Sequence, residues 1–291
     1  MILAMGPFAA IRAHHPGDEI VLLTTAPYAA LAEASPYFDA VWVDARPPWY
    51  DLAGVLRLRR RLRAGGFSRV YDLQTSARSS AYYRLFAAPR PEWSGVARGC
   101  SHPHGNPRRD FMHTIERQRE QLRDAGIGNV PAPDLGWLDG DLSGFALPAR
   151  YVLMVPGGAA HRPAKRWPAD GYAALGRWLH EKGVGVVLIG AGADRAPIGD
   201  IARRLPDAVD LSGRTSFGQV AALARRAAGA VGNDTGPMHL IAVLGCPSVV
   251  LFSAESDPAL CAPRGAAVKV IRAADLASLS PEAVRSALEL R

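Results

Sequence analysis

The chain has 291 residues, which is enough for two domains of ordinary size. Its hydrophobic fraction of 48% and charged fraction of 21% are typical of globular proteins and exclude an intrinsically disordered chain. Lysine and arginine outnumber the acids by 34 to 27, so the formal net charge is +7. This charge suits a phosphate, a nucleotide or an anionic membrane surface, although a coding bias towards arginine would also produce it.

The three cysteines are Cys100, Cys246 and Cys261, and they show no C-x-x-C spacing. An odd number of cysteines without a disulfide framework indicates a reducing compartment. No apolar run reaches the length of a membrane span, and no basic segment precedes the first apolar stretch as in a signal peptide. We therefore expect a cytoplasmic protein.

Strand-like and helix-like segments alternate through the first half of the chain. Short apolar, β-branched runs predict strands at 19–25, 40–45 and 69–74. Apolar residues at helical spacing predict helices at 28–35, 52–66, 78–87 and 113–127.

Prolines and glycines break the periodicity over residues 129–150, which predicts a linker. The alternation then restarts, with predicted strands at 151–158, 184–192, 208–213, 229–234, 247–252 and 267–272. Helices are predicted between them at 168–183, 216–227, 236–245 and 280–290. Such alternation predicts parallel sheets with right-handed crossovers, and hence an α/β protein. We expect two Rossmann-like domains, residues 1–145 and 146–291, facing a cleft, with ligands beyond the carboxyl ends of the strands.

The stretch "VPGGAAHRPAKRWP" follows one of those strand ends. The backbone N–H groups of Gly157 and Gly158 are candidate anion donors, and Lys165 or Arg166 would complete a phosphate site. An ordinary loop with solvated basic residues is an equally good interpretation. The stretch is not a Walker A loop, and "LIGAGADR" lacks the third glycine of a dinucleotide fingerprint.

The stretch "VGNDTGPMHL" places unusually many polar groups at a strand-to-helix junction. The carboxylate of Asp234 can accept hydrogen bonds from paired hydroxyl groups, as sugars offer them. Thr235 and Gly236 would direct donors at the same ligand, and His239 lies within reach of it. The alternative is structural: an Asp234 helix cap followed by Pro237, with His239 in the core. Because the set falls at the predicted ligand end, we favour a binding site.

These two stretches together closely resemble the heptosyltransferase family of lipopolysaccharide core glycosyltransferases, glycosyltransferase family 9. The resemblance extends to "ILAMGPFAAIRAHHPGDEIVLLT" and "VYDLQTSARSS" near the start of the chain. It implies a GT-B-like fold, with an acceptor-side first domain and a second domain that binds the nucleotide-sugar donor. It also implies inverting, metal-independent transfer without a cofactor, often of heptose from ADP-heptose.

The resemblance assigns roles to the second-domain residues. Lys165 would contact the donor phosphates, together with the glycine turn at Gly157 and Gly158. Asp234 would hold sugar hydroxyls, while Thr235, Gly236 and His239 would line the pyrophosphate. Cationic and N–H groups suit a leaving nucleoside diphosphate, which gains negative charge in the transition state.

The chain departs from the family pattern at its start. Family members begin with a strand and a Leu-Gly-Asp loop whose Asp is the expected general base, and this chain resembles them only from the following helix. We therefore expect a first domain without its first strand, through a start assigned too late or a shortened, impaired form. Asp18 and Asp72 are not in a position to replace the base.

Two further departures concern the donor. Ala159 and Ala160 stand where hydroxyl residues are common in the family, which would remove side-chain hydrogen bonds to phosphate. An acid that often contacts the nucleotide ribose is absent near Gly218 and Gln219, which leaves the identity of the nucleotide open.

Basic residues of the first domain are candidates for the acceptor. Arg78 follows a strand end, and Arg108 and Arg109 lie in a probable loop, where they would match acidic sugars or phosphates, or simply be solvated. His102 and His104 lack acidic or cysteine partners at metal-binding spacing, so no metal is expected.

The helix "RLRRRLRAGG" could rest on anionic lipid, although a solvated face is the simpler interpretation. Trp42, Trp49 and Trp93 are expected to be core or loop anchors. The expected partners are a nucleotide-diphosphate sugar and an anionic lipid-linked glycan, with peripheral contact at the inner membrane and no nucleic acid. Two alternatives remain: another nucleotide sugar with an O-antigen, capsule or protein acceptor, and a catalytically impaired nucleotide-sugar binder.

Overall fold

The computed structural model describes residues 1–158 and 162–291. The strands are β1 Val21–Thr24, β2 Ala40–Val43, β3 Arg69–Tyr71, β4 Glu92–Gly95, β5 His102–Pro103, β6 Tyr151–Val155, β7 Gly185–Leu188, β8 Val209–Asp210, β9 Gly229–Asn233, β10 Ser248–Phe252 and β11 Val268–Arg272. The helices are α1 Met5–His14, α2 Ala26–Glu33, α3 Leu52–Ala64, α4 Ala77–Tyr82, α5 Thr114–Asp124, α6 Ala169–Glu181, α7 Arg195–Arg204, α8 Phe217–Arg226, α9 Gly236–Val243, α10 Pro258–Cys261 and α11 Pro281–Ala287.

The chain divides into two compact units, residues 3–133 with Met1 and residues 134–291 with Ile2. The division falls inside the segment predicted to be a linker, earlier than the predicted boundary after residue 145. Leu135, Leu138 and Leu142 are buried, and Arg225 of α8 donates hydrogen bonds to the carbonyls of Leu135 and Leu138. These contacts fasten residues 134–142 to the second unit despite their irregular backbone.

The first unit contains two small parallel sheets. In one, β1 pairs with β2; in the other, the order is β3-β4-β5. The two sheets share their helical cover, because Leu23 of β1 and Val70 of β3 both pack on the cluster that contains Leu62 of α3. Ile11 of α1 belongs to a second cluster that Tyr71 of β3 also contacts.

The second unit is one six-stranded parallel sheet in the order β8-β7-β6-β9-β10-β11. Counted in chain order within the unit, this is 3-2-1-4-5-6, the doubly wound arrangement of dinucleotide-binding domains. The run Y-V-L-M-V of β6 is buried along its whole length, as are β9 and β10. Continuous apolar runs are expected where helices cover both faces of a parallel sheet.

The predicted strand and helix segments are confirmed in place, with ends shifted by a few residues. Sequence periodicity did not predict β4, β5, α7 or α10, and α1 was expected only from the family resemblance. The strand β4 is E-W-S-G and β5 has two residues, so neither carries an apolar run. No helix in the two described ranges is long and apolar enough to cross a bilayer.

Candidate functional site

The site lies where the second sheet reverses its strand order. The neighbouring strands β6 and β9 occupy the middle of the sheet; the chain continues from β6 towards β7 on one side and from β9 towards β10 on the other. The loops after β6 and β9 therefore diverge and leave a crevice at the carboxyl ends, where ligands bind in such sheets. Gly157 and Gly158 lie in the loop after β6, and Asp234 follows β9.

Asn233, the last residue of β9, fastens the walls of this crevice together. Its fully buried side-chain amide donates to the carbonyls of Pro156 (2.8 Å) and Gly157 (3.1 Å). Its oxygen accepts from the backbone N–H of Trp167 and the hydroxyl of Tyr172. All of its hydrogen-bonding capacity is used, so Asn233 is a structural residue that holds both strand ends in register.

Asp234 is the centre of a polar cluster drawn from three strand ends. Its Oδ2 accepts from Lys165 Nζ at 2.7 Å and from Ser256 Oγ at 2.8 Å. Lys165 follows β6 and Ser256 follows β10, so neighbouring strands β6, β9 and β10 bring the three side chains together. The Lys165 and Asp234 side chains are only 13% and 10% exposed. A buried pair of this kind is costly to break from one side, because the remaining charge is left without compensation.

The position of Asp234 excludes its interpretation as a helix cap. The N-cap of α9 is Thr235, and its side chain makes no capping hydrogen bond. The Thr235 hydroxyl is buried and has no hydrogen-bond partner among the described residues. Asp234 Oδ1 likewise accepts no hydrogen bond in the described part of the chain, and His239 Nε2 lies 3.9 Å from it. The junction thus presents, in one crevice, a buried hydroxyl and a carboxylate oxygen that accepts no hydrogen bond from the described residues.

Cys261, at the end of α10, lies beside the same cluster. Burial raises the pKa of its thiol, and the nearby negative charge of Asp234 raises that pKa further, while Lys165 opposes the shift. Sequence reasoning did not select Cys261 or Ser256. The available signal was that Ser256 lies just beyond a predicted strand, at the edge where the carboxyl ends of parallel strands meet.

The glycine turn after β6 is hydrogen-bonded to the side-chain carboxylate of Asp194. Asp194 accepts a hydrogen bond from the backbone N–H of Gly158 at 3.1 Å and another from Ala191 at 3.0 Å. A side chain at Gly157 would collide with this carboxylate, since an added Cβ would lie 2.6 Å from the Asp194 carboxyl. The N–H of Gly158, predicted to face a phosphate, is therefore already paired in this structure.

The sequence differs from the family pattern at two places in the second unit, and the structure describes only one of them. Ala159 and Ala160 lie outside the residues that the structure describes. Gln219 closes the N-terminus of α8: its side chain accepts from the N–H of Ser216, and its own N–H donates back to the Ser216 hydroxyl. Gln219 also donates to the carbonyl of Asp141, which commits its amide to the fold.

The arginines predicted to meet an acceptor occupy different places in the first unit. Arg78 lies in the first turn of α4, stacks over Trp49 and donates to the Pro47 carbonyl. Arg109 donates to the Thr75 hydroxyl at 2.7 Å, just beyond the carboxyl end of β3. Arg108 is exposed. The structure gives no contact that brings the three together.

The acids of the first unit that could be mistaken for a base are already engaged. Asp72 is 6% exposed and accepts from the Thr75 N–H and the Ser80 hydroxyl. Burial raises the pKa of this carboxyl. Asp18 pairs with His15 at 2.8 Å.

Neither histidine of the predicted loop joins a metal-binding set, since the described residues contain no group of three or more potential ligands. The imidazole of His102 lies 3.2 Å from Arg69, and that of His104 is fully buried and 3.5 Å from Glu120. Of the three tryptophans, Trp93 is in the core, at 3% exposed. Trp42 is half-buried beneath Arg61. Trp49 is 46% exposed and lies in the loop before α3, where Arg78 stacks over its ring, so of the two expected places it occupies the loop.

Solved structures share this architecture over nearly the whole chain. The structure of the Escherichia coli ADP-heptose lipopolysaccharide heptosyltransferase II superposes with a TM-score of 0.80 at 22% identity and covers 99% of this chain and 93% of that one. A family 9 glycosyl transferase from Veillonella parvula gives the same TM-score at 20% identity, with 98% and 91% covered. The fold, with a crevice where the second sheet reverses its strand order, is that of an α/β protein of the GT-B-like class.

Sequence comparison narrows the class to a family. The profile of glycosyltransferase family 9 (heptosyltransferase) matches residues 55–288. The lipooligosaccharide heptosyltransferase 2 of Haemophilus ducreyi is 32% identical over 252 residues, which are 76% of this chain and 72% of that protein. The chain belongs to glycosyltransferase family 9.

Other curated relatives match over shorter segments. The lipopolysaccharide heptosyltransferase 2 of Escherichia coli is 35% identical over 120 residues, which are 40% of this chain and 34% of that protein. The Haemophilus influenzae lipooligosaccharide heptosyltransferase 2 is matched over 32% of its length. These two matches therefore span about a third of each relative.

Proposed function

We propose that the protein transfers a sugar, most specifically heptose from ADP-heptose, to a lipopolysaccharide-core or related lipid-linked glycan acceptor. The proposal includes inversion at the transferred carbon and no metal ion. It also includes a cytoplasmic location with peripheral contact at the inner membrane. The observation that carries it is the Lys165–Asp234–Ser256 cluster at the switch point of the second sheet. Family membership and the heptosyltransferase relatives support the same reaction.

The cluster suits a nucleotide sugar because it holds one cation and one anion in the same crevice. A diphosphate competes with Asp234 for Lys165, since both are anionic partners of one ammonium group. When the diphosphate takes Lys165, the Asp234 carboxylate becomes available for the sugar hydroxyls, including through Oδ1, which accepts no hydrogen bond from the described residues. In this structure the two buried charges are paired with each other, so neither is left uncompensated.

The chemistry follows from where charge develops. As the bond from the sugar to the diphosphate breaks, negative charge grows on the leaving phosphate oxygens. Lys165, the Thr235 hydroxyl and the N–H of Gly236 at the start of α9 would stabilise that charge, and His239 lies beside them. Arg78, Arg108 and Arg109 are proposed to meet anionic groups of the acceptor.

Asp234→Asn tests the donor site directly. The substitution keeps the shape of the side chain and removes its charge, so we expect nucleotide-sugar binding and transfer to fall at least about tenfold, the loss of one charge-assisted hydrogen bond. Asp170→Asn is the matched control, because Asp170 pairs with Arg204 at 2.9 Å on the surface of the same unit. Product is measured by mass spectrometry with ADP-heptose and a lipid-linked core acceptor, and full activity of Asp234→Asn would remove that residue from the site.

Donor choice is tested by repeating the assay with other nucleotide diphosphate sugars and with O-antigen, capsule or protein acceptors. Preferred turnover of one of those pairs would replace heptose transfer by the corresponding reaction. No binding and no transfer with any donor would refute the proposal.

Binding of a nucleotide sugar without transfer is the second candidate. It is favoured by the hydrogen bonds and ion pair that already engage Asp72 and Asp18, which leave neither of these two carboxyls poised as a base. Calorimetric binding of ADP-heptose with no product after prolonged incubation would support this candidate over the enzyme.

A further inference from the structure

The first unit exposes an apolar surface that its core does not need. Tyr50 is 87% exposed, Leu52 70%, and Trp49 and Leu56 46% each. All four lie between residues 49 and 56, in the loop before α3 and on its first turns. Isolated exposed apolar residues are ordinary, but four within eight residues of the chain, tryptophan and tyrosine among them, indicate an interaction surface.

The geometry of α3 shows that this exposure is not a consequence of poor packing. Leu58 and Leu62 lie on the inner side of the helix, in the cluster that also holds Trp93. Leu52, Leu56 and Arg60 recur every four residues and therefore share the opposite, outward side. The helix thus has two apolar stripes, and only the inner stripe is covered.

The charge of the same helix is entirely positive. Its sequence, L-A-G-V-L-R-L-R-R-R-L-R-A, contains five arginines and no acid. Arg57 and Arg60 are exposed, and no carboxylate of the described residues pairs with either of them. Arg61 stacks over Trp42 at 4.4 Å at the edge of this side. On the outward side of α3, the N-terminal turns are therefore apolar and the turns that follow are cationic.

We propose that this face, formed by Trp49, Tyr50, Leu52, Leu56 and the arginines of α3, docks on the surface of an anionic lipid bilayer. Aromatic and leucine side chains would enter the boundary between headgroups and acyl chains, where tryptophan and tyrosine are favoured. Arg57 and Arg60 would meet the anionic headgroups. The charge pattern selects a bilayer over a second copy of this chain, because two such faces would repel each other.

The inference rests on the proposed function in that a lipid-linked acceptor brings the protein to a bilayer. Vesicle binding needs neither donor nor acceptor, so its failure would remove this face and the proposed membrane contact and would leave the transfer reaction standing. The full-length chain is sedimented with vesicles of one third phosphatidylglycerol in phosphatidylethanolamine, and with phosphatidylcholine vesicles for comparison. We expect binding to the anionic vesicles that weakens as salt screens the arginines.

Arg57→Gln/Arg60→Gln is expected to weaken vesicle binding about 30-fold, at about fivefold per arginine. Arg123→Gln/Arg177→Gln removes the same charge from exposed positions outside the face and should bind like the wild type. Tyr50→Ser/Leu52→Ser should weaken binding roughly tenfold or more while the charge is retained. Circular dichroism checks that each variant is folded.

Three results would overturn the proposal. The wild-type protein stays in the supernatant with anionic vesicles, or the Arg57→Gln/Arg60→Gln variant binds as tightly as its control. A wild-type dimer that Tyr50→Ser/Leu52→Ser converts to a monomer would assign the face to a second copy of the chain instead.

Discussion

Ser256 is predicted to matter most when a donor sugar is bound. In this structure, Asp234 Oδ2 accepts hydrogen bonds from both Lys165 and Ser256. If a diphosphate takes Lys165, Ser256 becomes the remaining donor that orients the carboxylate towards the sugar. Ser256→Ala should therefore perturb Asp234 less in the protein alone, where Lys165 still holds the carboxylate, than in the donor complex. Ser256 is in this sense a positioning residue that acts through Asp234.

The magnitude follows from the 2.8 Å hydrogen bond to a carboxylate that is 10% exposed. Hydrogen bonds to charged groups contribute about 1.5–3 kcal/mol, and because the same bond also stabilises the protein alone, the affinity for the nucleotide sugar should fall by at most about 10- to 100-fold. Affinity for the nucleoside diphosphate alone should change less than about threefold, because it lacks the sugar that Asp234 would hold. Ser256→Thr keeps the hydroxyl and should restore most of the affinity.

Both affinities are measured by isothermal titration calorimetry on the same preparations. Ser143→Ala is the matched control, since the Ser143 hydroxyl donates to Asp141 at 2.7 Å in an exposed pair of the same unit. Equal losses for the nucleotide sugar and the nucleoside diphosphate would refute the positioning role, and so would no loss for either. A large fall in the free energy of unfolding without ligand would indicate a purely structural residue.

Three further predictions concern other parts of the chain. The pKa of the Asp72 carboxyl is raised in the folded state, which therefore holds the proton more tightly than the unfolded chain does. The resulting contribution to stability is present below about pH 4 and is lost as pH rises through the folded pKa. Urea titrations should show this pH dependence in the wild type and not in Asp72→Asn. The Cys261 thiol should react slowly with iodoacetamide near neutral pH and faster as pH rises towards its raised pKa. Nucleotide sugar should slow this reaction several-fold. Peptide mass spectrometry measures the rates, and protection of buried Cys246 alone would contradict the prediction. Arg225→Ala should lower the free energy of unfolding by about 1–2 kcal/mol, because it frees the Leu135 and Leu138 carbonyls, and an unchanged urea midpoint would contradict that role.

Local sequence patterns predicted most elements because apolar periodicity is a property of neighbouring residues. The buried run of β6 was readable in this way, since its apolar residues are neighbours in the chain. Short strands such as β4 and β5 were not predicted, because their pairing partners, rather than their own residues, hold them in a sheet.

The candidate site was only partly predictable for the same reason. Asp234 and Lys165 were selected because each follows a predicted strand, and the structure brings them to 2.7 Å. The helix-cap alternative for Asp234 could not be excluded until Thr235 was found at the N-cap. The pairing of Asp194 with Gly158 was also out of reach, because 36 residues separate the two.

By itself, the sequence determined the alternation of strands and helices, the polar junction after β9 and the excess of positive charge, all of which are local or additive properties. Only the tertiary structure decided which strand ends meet. It placed β6 between β7 and β9, and so brought Lys165, Asp234 and Ser256 into one crevice. It also decided which leucines of α3 face solvent, because burial depends on what packs against a helix as well as on its periodicity.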